Sequence, residues 1–202
     1  MEEKHAGFTL WFTGLPGAGK TSITTRLEEL LRSRNYRVER LDGDTVRQGL
    51  SRDLGFSPED RDRNIDRVTY VAKLLTRNDV IVLCAFIAPY RKQRDHAREE
   101  IGDFLEVYVD TPLEVCEQRD PKGMYHKARA GKIQHFTGVS DPYEPPEQPD
   151  IVVHTVDRSV EESAGWVLRK LEELGRIRPV TGDYTPEEQK EIEDRLRSMG
   201  YL

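Results

Sequence analysis

The segment Gly14-Leu15-Pro16-Gly17-Ala18-Gly19-Lys20-Thr21 has the spacing of a phosphate-binding loop: a glycine, four residues, then Gly-Lys-Thr. Glycines in such a loop let backbone N–H groups approach phosphate oxygens with no side chain in the way. Lys20 can bridge the β- and γ-phosphates, and the Thr21 hydroxyl can coordinate Mg²⁺. We therefore predict that a nucleoside triphosphate and Mg²⁺ bind here. The residues expected to hold the nucleotide are Gly14, Gly17, Ala18, Gly19, Lys20, Thr21 and Ser22.

A second group of chemically useful residues follows the next predicted strand, residues 37–42. This strand ends in Asp42-Gly43-Asp44. Open parallel sheets bind their ligands at the carboxyl ends of the strands. The position therefore makes these carboxylates candidates for work beside the nucleotide.

The elements that must position these residues alternate along the chain as βαβ units. Apolar and β-branched runs predict strands at 8–13, 37–42, 80–86, 104–109 and 151–154. Apolar residues at helical spacing, together with capping signals at Ser57-Pro58 and Ser159, predict helices at 21–34, 57–77, 91–101, 112–119 and 159–175, with a helical turn or two at 45–50. We predict an α/β fold: a P-loop nucleoside-kinase-like three-layer sandwich with a mostly parallel central sheet and a lid loop.

The stretch 120–150 interrupts this alternation. It is rich in proline and, at about 30 residues, long for a connection inside a compact domain, so we predict a lid. Residues 1–178 are predicted to form one kinase domain. Residues 179–202 are predicted to form a helical tail, with a helix from 185 to 200 that serves packing or an oligomer contact.

Length and composition narrow the class of protein. The chain has 202 residues, enough for one α/β domain, and a net charge of −6, which does not favour nucleic acid or an anionic membrane as a partner. No apolar run reaches the roughly 20 residues that span a bilayer, and the N-terminus lacks a signal-peptide core, so we predict a cytoplasmic protein. Cys84 and Cys116 have neither metal-ligand nor redox-pair spacing, and we interpret both as reduced packing residues.

Seven stretches taken together resemble the adenylylsulfate (APS) kinase family of P-loop kinases, over about residues 6 to 175. They are Asp42-Gly43-Asp44-Thr45-Val46-Arg47, Asp53-Leu54-Gly55-Phe56-Ser57, Phe86-Ile87-Ala88-Pro89-Tyr90-Arg91, Val109-Asp110-Thr111-Pro112, Cys116-Glu117-Gln118-Arg119-Asp120-Pro121-Lys122-Gly123, Lys127-Ala128-Arg129-Ala130-Gly131 and Phe136-Thr137-Gly138. The resemblance implies transfer of the ATP γ-phosphoryl group to the 3′-hydroxyl of APS, giving 3′-phosphoadenylylsulfate (PAPS) and ADP in sulfate assimilation. ATP would be the co-substrate, with Mg²⁺. A homodimer and an association with an ATP sulfurylase are also implied.

The resemblance also implies roles for individual residues. Asp44 is expected beside the APS 3′-hydroxyl and Mg²⁺, as proton acceptor or water-mediated metal partner, and Lys20 and Asp44 are the predicted catalytic residues. Asp42 is the weaker candidate, because two positions back it can already lie inside the sheet edge. Metal ligation is assigned to Thr21 and Asp44.

Recognition of APS requires cations for the phosphosulfate and a stacking surface for the adenine. Guanidinium groups suit phosphate and sulfate, and aromatic rings suit the base. The residues expected to contact APS, besides Asp44, are Arg47, Phe56, Arg61, Asn64, Ile87, Ala88, Arg91, Lys127, His135 and Phe136. Arg119 is expected on the ATP side, near its base.

Ala88 departs from the family pattern. Many relatives carry serine in the Phe-Ile-Ser-Pro-Tyr-Arg stretch, and that serine can be viewed as a phosphorylated intermediate. An alanine has no oxygen to phosphorylate, so a covalent route through this side chain is closed and the transfer must be direct.

Three other functions share the phosphate-binding loop. The nearest is a sister kinase that acts on a small metabolite or a nucleoside monophosphate. ATP consumption that is stimulated by APS, and not by AMP, gluconate or shikimate, would exclude it. A nucleotide-dependent switch would call for a base-recognition signal such as Asn-Lys-x-Asp, which the sequence lacks. A polynucleotide kinase would need a basic track for the strand, against the acidic balance of the chain.

Overall fold

Five strands form one parallel sheet within residues 6–179, the part of the chain that the computed structural model describes. The strands are β1 (Thr9–Thr13), β2 (Val38–Asp42), β3 (Ile81–Ala85), β4 (Phe104–Asp110) and β5 (Ile151–His154). Their order in the sheet is β2-β3-β1-β4-β5, and each neighbouring pair is parallel. Every carboxyl end therefore lies at the same edge of the sheet, as predicted.

Helices cover both faces of the sheet. They are α1 (Lys20–Ser33), α2 (Gly43–Gln48), α3 (Pro58–Thr76), α4 (Arg91–Ile101), α5 (Leu113–Arg119), α6 (Met124–Arg129) and α7 (Val160–Glu173). Alternation along β1 divides the core: Leu10 and Phe12 pack in one hydrophobic cluster with α1 and α7, whereas Trp11 packs in a second cluster with α3 and α4. The predicted three-layer sandwich is confirmed.

Two helices begin at the caps that the sequence predicts. The Ser57 hydroxyl accepts a hydrogen bond from the Asp60 N–H, with Pro58 in the first turn of α3. At α7, Ser159 and Glu162 form a reciprocal capping box. These bonds satisfy N–H groups that have no partner inside a helix, and they fix where each helix starts.

The segment 120–150 contains an element that the sequence does not predict. The prediction is a lid loop at about 120–150, and the structure places the short helix α6 within it. The Asp120 carboxylate accepts hydrogen bonds from the N–H groups of Tyr125 and His126 at 3.0 and 3.1 Å, which satisfies the start of this helix. The predicted tail helix at 185–200 lies outside the described residues.

Two further observations bear on the class of protein. Across residues 6–179, no helix combines the length and the apolar character that crossing a membrane requires. Cys84 and Cys116 are both free and buried.

Candidate active site

The carboxyl ends of the strands open on a cavity of about 1070 Å³. The phosphate-binding loop lies on one side of this cavity, and the start of α3 and the end of β3 lie on the other; the segment 120–150 covers it. The volume is near the upper limit of the range of about 300–1,000 Å³ typical of small-molecule pockets. A cavity of this size suits a donor and an acceptor bound together.

The backbone of the phosphate-binding loop depends on its glycines. A side chain on Gly14 would place its Cβ 2.6 Å from the Val109 carbonyl oxygen, and Gly14 has a positive φ of 149°. Gly19 is the N-cap of α1 with a φ of 107°, and no side chain caps the helix. The first N–H groups of α1 are therefore left for an anion, which the helix dipole also attracts.

Lys20 is folded back onto the loop. Its side chain is largely buried, at 8% exposure, and Nζ donates hydrogen bonds of 2.8 Å to the carbonyl oxygens of Gly14 and Leu15. Burial lowers the pKa of Lys20 from its ordinary value to about 8, although the negative charge of Asp42 opposes the shift. The ammonium group is thus held beside the predicted phosphate position and loses its proton at mildly alkaline pH.

Nucleotide binding is expected to weaken as the pH rises above about 8. Phosphate groups favour the charged form of Lys20 and raise its pKa, so binding takes up a proton wherever the free protein has lost it. The dissociation constant for ADP should change little near pH 7 and rise above about pH 8, by up to about tenfold per pH unit. Calorimetric titration in two buffers of different ionisation enthalpy measures the proton uptake directly. A constant affinity from about pH 7 to 9 with no proton uptake would contradict this expectation.

Thr21 and the two carboxylates at the end of β2 provide oxygen donors. The Thr21 hydroxyl donates to Asp42 Oδ2 at 2.7 Å, and Asp42, at 5% exposure, also accepts from the Asp44 N–H at 3.0 Å as the N-cap of α2. The Asp44 carboxylate is 65% exposed and pairs with Lys122. The structure therefore brings Asp42, and not Asp44, into contact with Thr21. The metal roles assigned from the sequence stay predictions.

An oxygen-rich set of this kind suits Mg²⁺. Within residues 6–179, no cluster of three or more His, Cys, Asp or Glu side chains is arranged to hold a metal. Mg²⁺ commonly takes one or two protein oxygens and fills its remaining positions with phosphate and water. Thr21, Asp42 and Asp44 fit that role.

Two arginines concentrate positive charge on the opposite wall, where Asn64 also lies. Arg47 donates to the Gly55 carbonyl oxygen at 2.8 Å and Arg61 to the Phe56 carbonyl oxygen at 3.1 Å, so adjacent carbonyl groups hold the two guanidinium groups. Burial, followed by the charge of Arg61, lowers the pKa of Arg47. Arg61 forms an ion pair with Asp141 at 3.1 Å and donates to the His135 carbonyl oxygen. Asp141 neutralises only part of the positive charge of Arg47 and Arg61, so this wall favours the binding of an anion.

Two aromatic rings line the cavity near this charge. Phe56 is 63% exposed, and the Arg47 guanidinium lies 4.3 Å from its ring centroid. Phe136 is buried and meets Tyr125 edge-on, with 5.0 Å between the ring centroids. The Phe56 ring is thus exposed although Arg47 lies over it, and stacking of an adenine on the two rings stays a prediction.

Arg119 lies beside the phosphate-binding loop, on the side away from the arginine pair. Its guanidinium donates to the Thr155 hydroxyl at 2.9 Å and to the Thr155 carbonyl oxygen at 2.7 Å, and it lines the cavity. Ser22 lines the cavity as well. These positions suit the predicted ATP side.

The loop after β3 brings Ile87 and Ala88 into the cavity wall. Ala88 is buried and has a φ of 39°, in the left-handed region that residues other than glycine rarely adopt. His135 also lines the cavity, has a φ of 56°, and places Nδ1 3.4 Å from the Asp141 carboxylate. Left-handed conformations of this kind persist only where the surroundings hold them.

Two of the predicted APS contacts, Arg91 and Lys127, do not line the cavity. Arg91 is the first residue of α4, and its side chain runs outward to the Pro145 carbonyl oxygen and to Glu147, 2.9 and 2.8 Å away. Lys127 is on the exposed side of α6. A position at a strand end brings the backbone to the site, but the helix that follows decides where the side chain points.

Several polar residues that line the cavity were not predicted from the sequence, among them Gln93, Lys122 and Arg158. Gln93 donates to the Asp62 carboxylate, and its buried Oε1 has no partner among residues 6–179, as is also true of Asn64 Oδ1. Lys122 lies within residues 116–123, one of the stretches that resemble the family, so this stretch could have indicated Lys122 as a site residue. For Gln93 no local signal exists, because it reaches the wall only through the packing of α4 on α3.

Comparison with known proteins gives consistent matches. A family model described as adenylylsulphate kinase matches residues 6–154. An adenylyl-sulfate kinase from Halothermothrix orenii is 62% identical over 171 residues, which cover 85% of this chain and 92% of the relative.

Solved structures agree with these matches. The APS kinase of Mycobacterium tuberculosis in complex with AMPPNP and APS superposes with a TM-score of 0.80 and 46% identity, over 83% of this chain and 99% of that chain. A hexameric APS kinase from Thiobacillus denitrificans gives a TM-score of 0.66 and 35% identity, over 87% of this chain and 30% of the other.

Proposed function

The chain belongs to the adenylylsulfate kinase family, and from that membership we infer that it transfers the γ-phosphoryl group of ATP to the 3′-hydroxyl of APS, giving PAPS and ADP. The observation that carries this inference is a single cavity with a phosphate-binding loop at one end and a guanidinium pair beside an open aromatic ring at the other. The relative from M. tuberculosis, solved with AMPPNP and APS, supports the presence of two nucleotides in such a cavity.

In the proposed arrangement, ATP occupies the loop end, with Lys20 on its phosphates and Arg119 near its base. APS occupies the other end, with its phosphosulfate at Arg47 and Arg61 and its adenine at Phe56. Positioning of this kind supplies most of the catalysis in phosphoryl transfer, because a protein nucleophile is not required.

The proposed reaction is one displacement. The 3′-oxygen of APS bonds to the γ-phosphorus while the bond from that phosphorus to the β,γ-bridging oxygen breaks, and Asp44 accepts the hydroxyl proton. Ala88 offers no oxygen for a covalent intermediate. Mg²⁺, when bound, neutralises charge on the β- and γ-phosphates, and Thr21 with Asp42 or Asp44 would hold it.

A coupled assay for ADP with ATP, Mg²⁺ and APS tests the function. We expect turnover with APS and none above background with AMP, gluconate or shikimate. Turnover that prefers one of the other acceptors would identify a sister kinase. Nucleotide binding without any acceptor-dependent turnover would indicate a switch protein.

The segment 120–150 is proposed to act as a lid, because it contacts both ends of the cavity. The Tyr125 hydroxyl donates to the Pro16 carbonyl oxygen at 2.9 Å, on the loop side, and Asp141 pairs with Arg61 on the other. A closed lid excludes water that would compete with the ribose hydroxyl for the phosphoryl group.

Limited trypsin digestion tests this lid. Arg129 and Lys132 are exposed cleavage points within it. We expect ADP together with APS to slow cleavage there, because bound nucleotides add contacts that hold the segment closed. Equal cleavage rates with and without the two nucleotides would count against the lid.

For the assembly of the protein we propose self-association. The hexameric relative supports self-association, and the homodimer, the association with an ATP sulfurylase and the cytoplasmic location stay predictions from the sequence. The division into a kinase domain at 1–178 and a tail at 179–202 also stays a prediction.

A further inference from the structure

A buried polar network lies directly behind the loop that follows β3. Arg94 on α4 is 2% exposed, and each of its three guanidinium nitrogens donates a hydrogen bond. Nε donates to Glu106 on β4 at 2.6 Å, Nη1 to the Ala88 carbonyl oxygen at 2.6 Å, and Nη2 to the Glu144 carbonyl oxygen at 2.7 Å. One side chain thus ties together the sheet, the loop after β3 and the base of the segment 120–150.

A second branch reaches the same loop from β1. Thr13, fully buried and the residue before Gly14, donates its hydroxyl to the Ile87 carbonyl oxygen at 2.6 Å. The Tyr143 hydroxyl lies 3.0 Å from the Thr13 hydroxyl, and its ring centroid is 5.8 Å from the Arg94 guanidinium. Because Thr13 donates its single hydroxyl proton to Ile87, the Tyr143 hydroxyl is the donor of the bond to Thr13. Burial raises the pKa of Tyr143 above its ordinary value, which is consistent with a protonated hydroxyl.

These bonds hold two successive carbonyl groups, those of Ile87 and Ala88, on the buried side of the loop. The peptide bonds are trans, and in a trans peptide the C=O and the following N–H point in opposite directions. Because Thr13 holds the Ile87 carbonyl, the Ala88 N–H is turned away from Thr13, on the side where Ile87 and Ala88 line the cavity. The same bonds support the left-handed conformation of Ala88.

We propose that Thr13, which holds the Ile87–Ala88 peptide, and Arg94, which holds the following Ala88–Pro89 peptide, are positioning residues. Together they set the Ala88 N–H in the orientation that receives the anionic group of the acceptor nucleotide. This inference rests on the proposed function. Neither side chain touches the acceptor. Each acts through the peptide that it holds.

If Thr13 and Arg94 only stabilised the fold, a different kinetic result would be expected. A buried ion pair such as Arg94–Glu106, or a buried hydroxyl, affects stability wherever it lies in the core. A positioning role acts on one substrate only, because the Ile87–Ala88 loop lies at the acceptor end of the cavity. The KM for APS should therefore change while the KM for ATP does not.

Thr9 provides a matched control for Thr13. Both are fully buried threonines on β1, and the Thr9 hydroxyl also makes one short hydrogen bond, to Thr76 at 2.8 Å. Thr9 lies at the opposite end of the strand from the cavity. Replacing either threonine by valine removes one buried hydroxyl and keeps the side-chain shape.

The experiment compares steady-state kinetics and Tm for Thr13→Val and Thr9→Val. We expect similar decreases in Tm for the two variants, a KM for APS raised about 5- to 10-fold in Thr13→Val alone, and a KM for ATP within about twofold in both. Arg94→Lys, which keeps the charge but loses the fork of donors, should raise the KM for APS further. Tyr143→Phe removes the hydroxyl that donates to Thr13 and should give a smaller increase of the same kind.

The possible results distinguish a failure of the positioning role from a failure of the proposed function. Wild-type turnover of APS with an unchanged KM for APS in Thr13→Val and Tyr143→Phe would overturn the positioning role and leave the proposed function intact. Equal increases in the Thr9 and Thr13 variants would overturn it too, since the effect would then be general. A wild-type protein that does not phosphorylate APS would overturn both.

Discussion

Replacement of Asp44 by asparagine is expected to lower kcat by about 10²–10⁴-fold, the contribution typical of a general base. Asp44 lies at the start of α2 in the wall of the cavity, and its carboxylate is exposed and paired with Lys122. Asparagine keeps the size of the side chain but cannot accept the proton of the ribose hydroxyl. Because the pair with Lys122 is on the surface, its loss should change the stability little.

The measurement is kcat at saturating ATP, Mg²⁺ and APS, with Tm to confirm the fold. Asp103→Asn is the matched control, because Asp103 loses the same charge from an exposed ion pair with Arg176 at the opposite end of the sheet. The control should keep wild-type turnover. Near-normal turnover in a folded Asp44→Asn protein would refute the role of Asp44.

Asp42→Asn separates the two neighbouring carboxylates. The asparagine side chain in this variant can still cap α2, since asparagine is as good an N-cap as aspartate, but the charge beside the Thr21 hydroxyl is lost. A larger loss of kcat in Asp42→Asn than in Asp44→Asn would move the catalytic assignment to the buried carboxylate.

Replacement of Lys20 by methionine is expected to lower kcat by about 10²–10³-fold, the usual cost of removing one preorganised charge-stabilising donor. Lys20 is buried against the carbonyl oxygens of Gly14 and Leu15, within the loop predicted to bind the β- and γ-phosphates. Methionine fills the apolar part of the lysine volume but carries no charge for the transferring phosphoryl group. The dependence of ADP affinity on pH above about 8 should disappear in this variant, because its titrating group is gone.

Lys73→Met is the control for the loss of a lysine. Lys73 is exposed on α3 and pairs with Glu100 on α4, away from the cavity. Its replacement should leave kcat and the pH dependence of ADP binding unchanged. If Lys20→Met kept kcat within about tenfold of the wild type, the proposed action of Lys20 on the phosphates would be wrong.

The fold, and the sheet edge at which the site is predicted, follow from sequence patterns alone. Its continuous apolar runs, such as that at 80–86, required strands covered on both faces, and the intervening amphipathic stretches required helices, which leaves a parallel sheet with its strand ends at one edge. The glycines and Lys20 determined the phosphate-binding loop. Local signals were sufficient at Ser57 and Ser159, because a cap depends on neighbours only three residues away.

Which side chains meet inside the cavity depends on how the helices and strands pack together. Asp42 reaches Thr21, 21 residues away, because α1 and β2 pack together, whereas Asp44 turns toward Lys122. Arg91 looks well placed in the sequence and points outward, and Gln93 has no signal and lines the wall. The contact between Thr13 and Tyr143 joins residues 130 positions apart. Sequence patterns set the period and the face of an element, but the direction of a side chain within a site depends on contacts between elements that are distant along the chain.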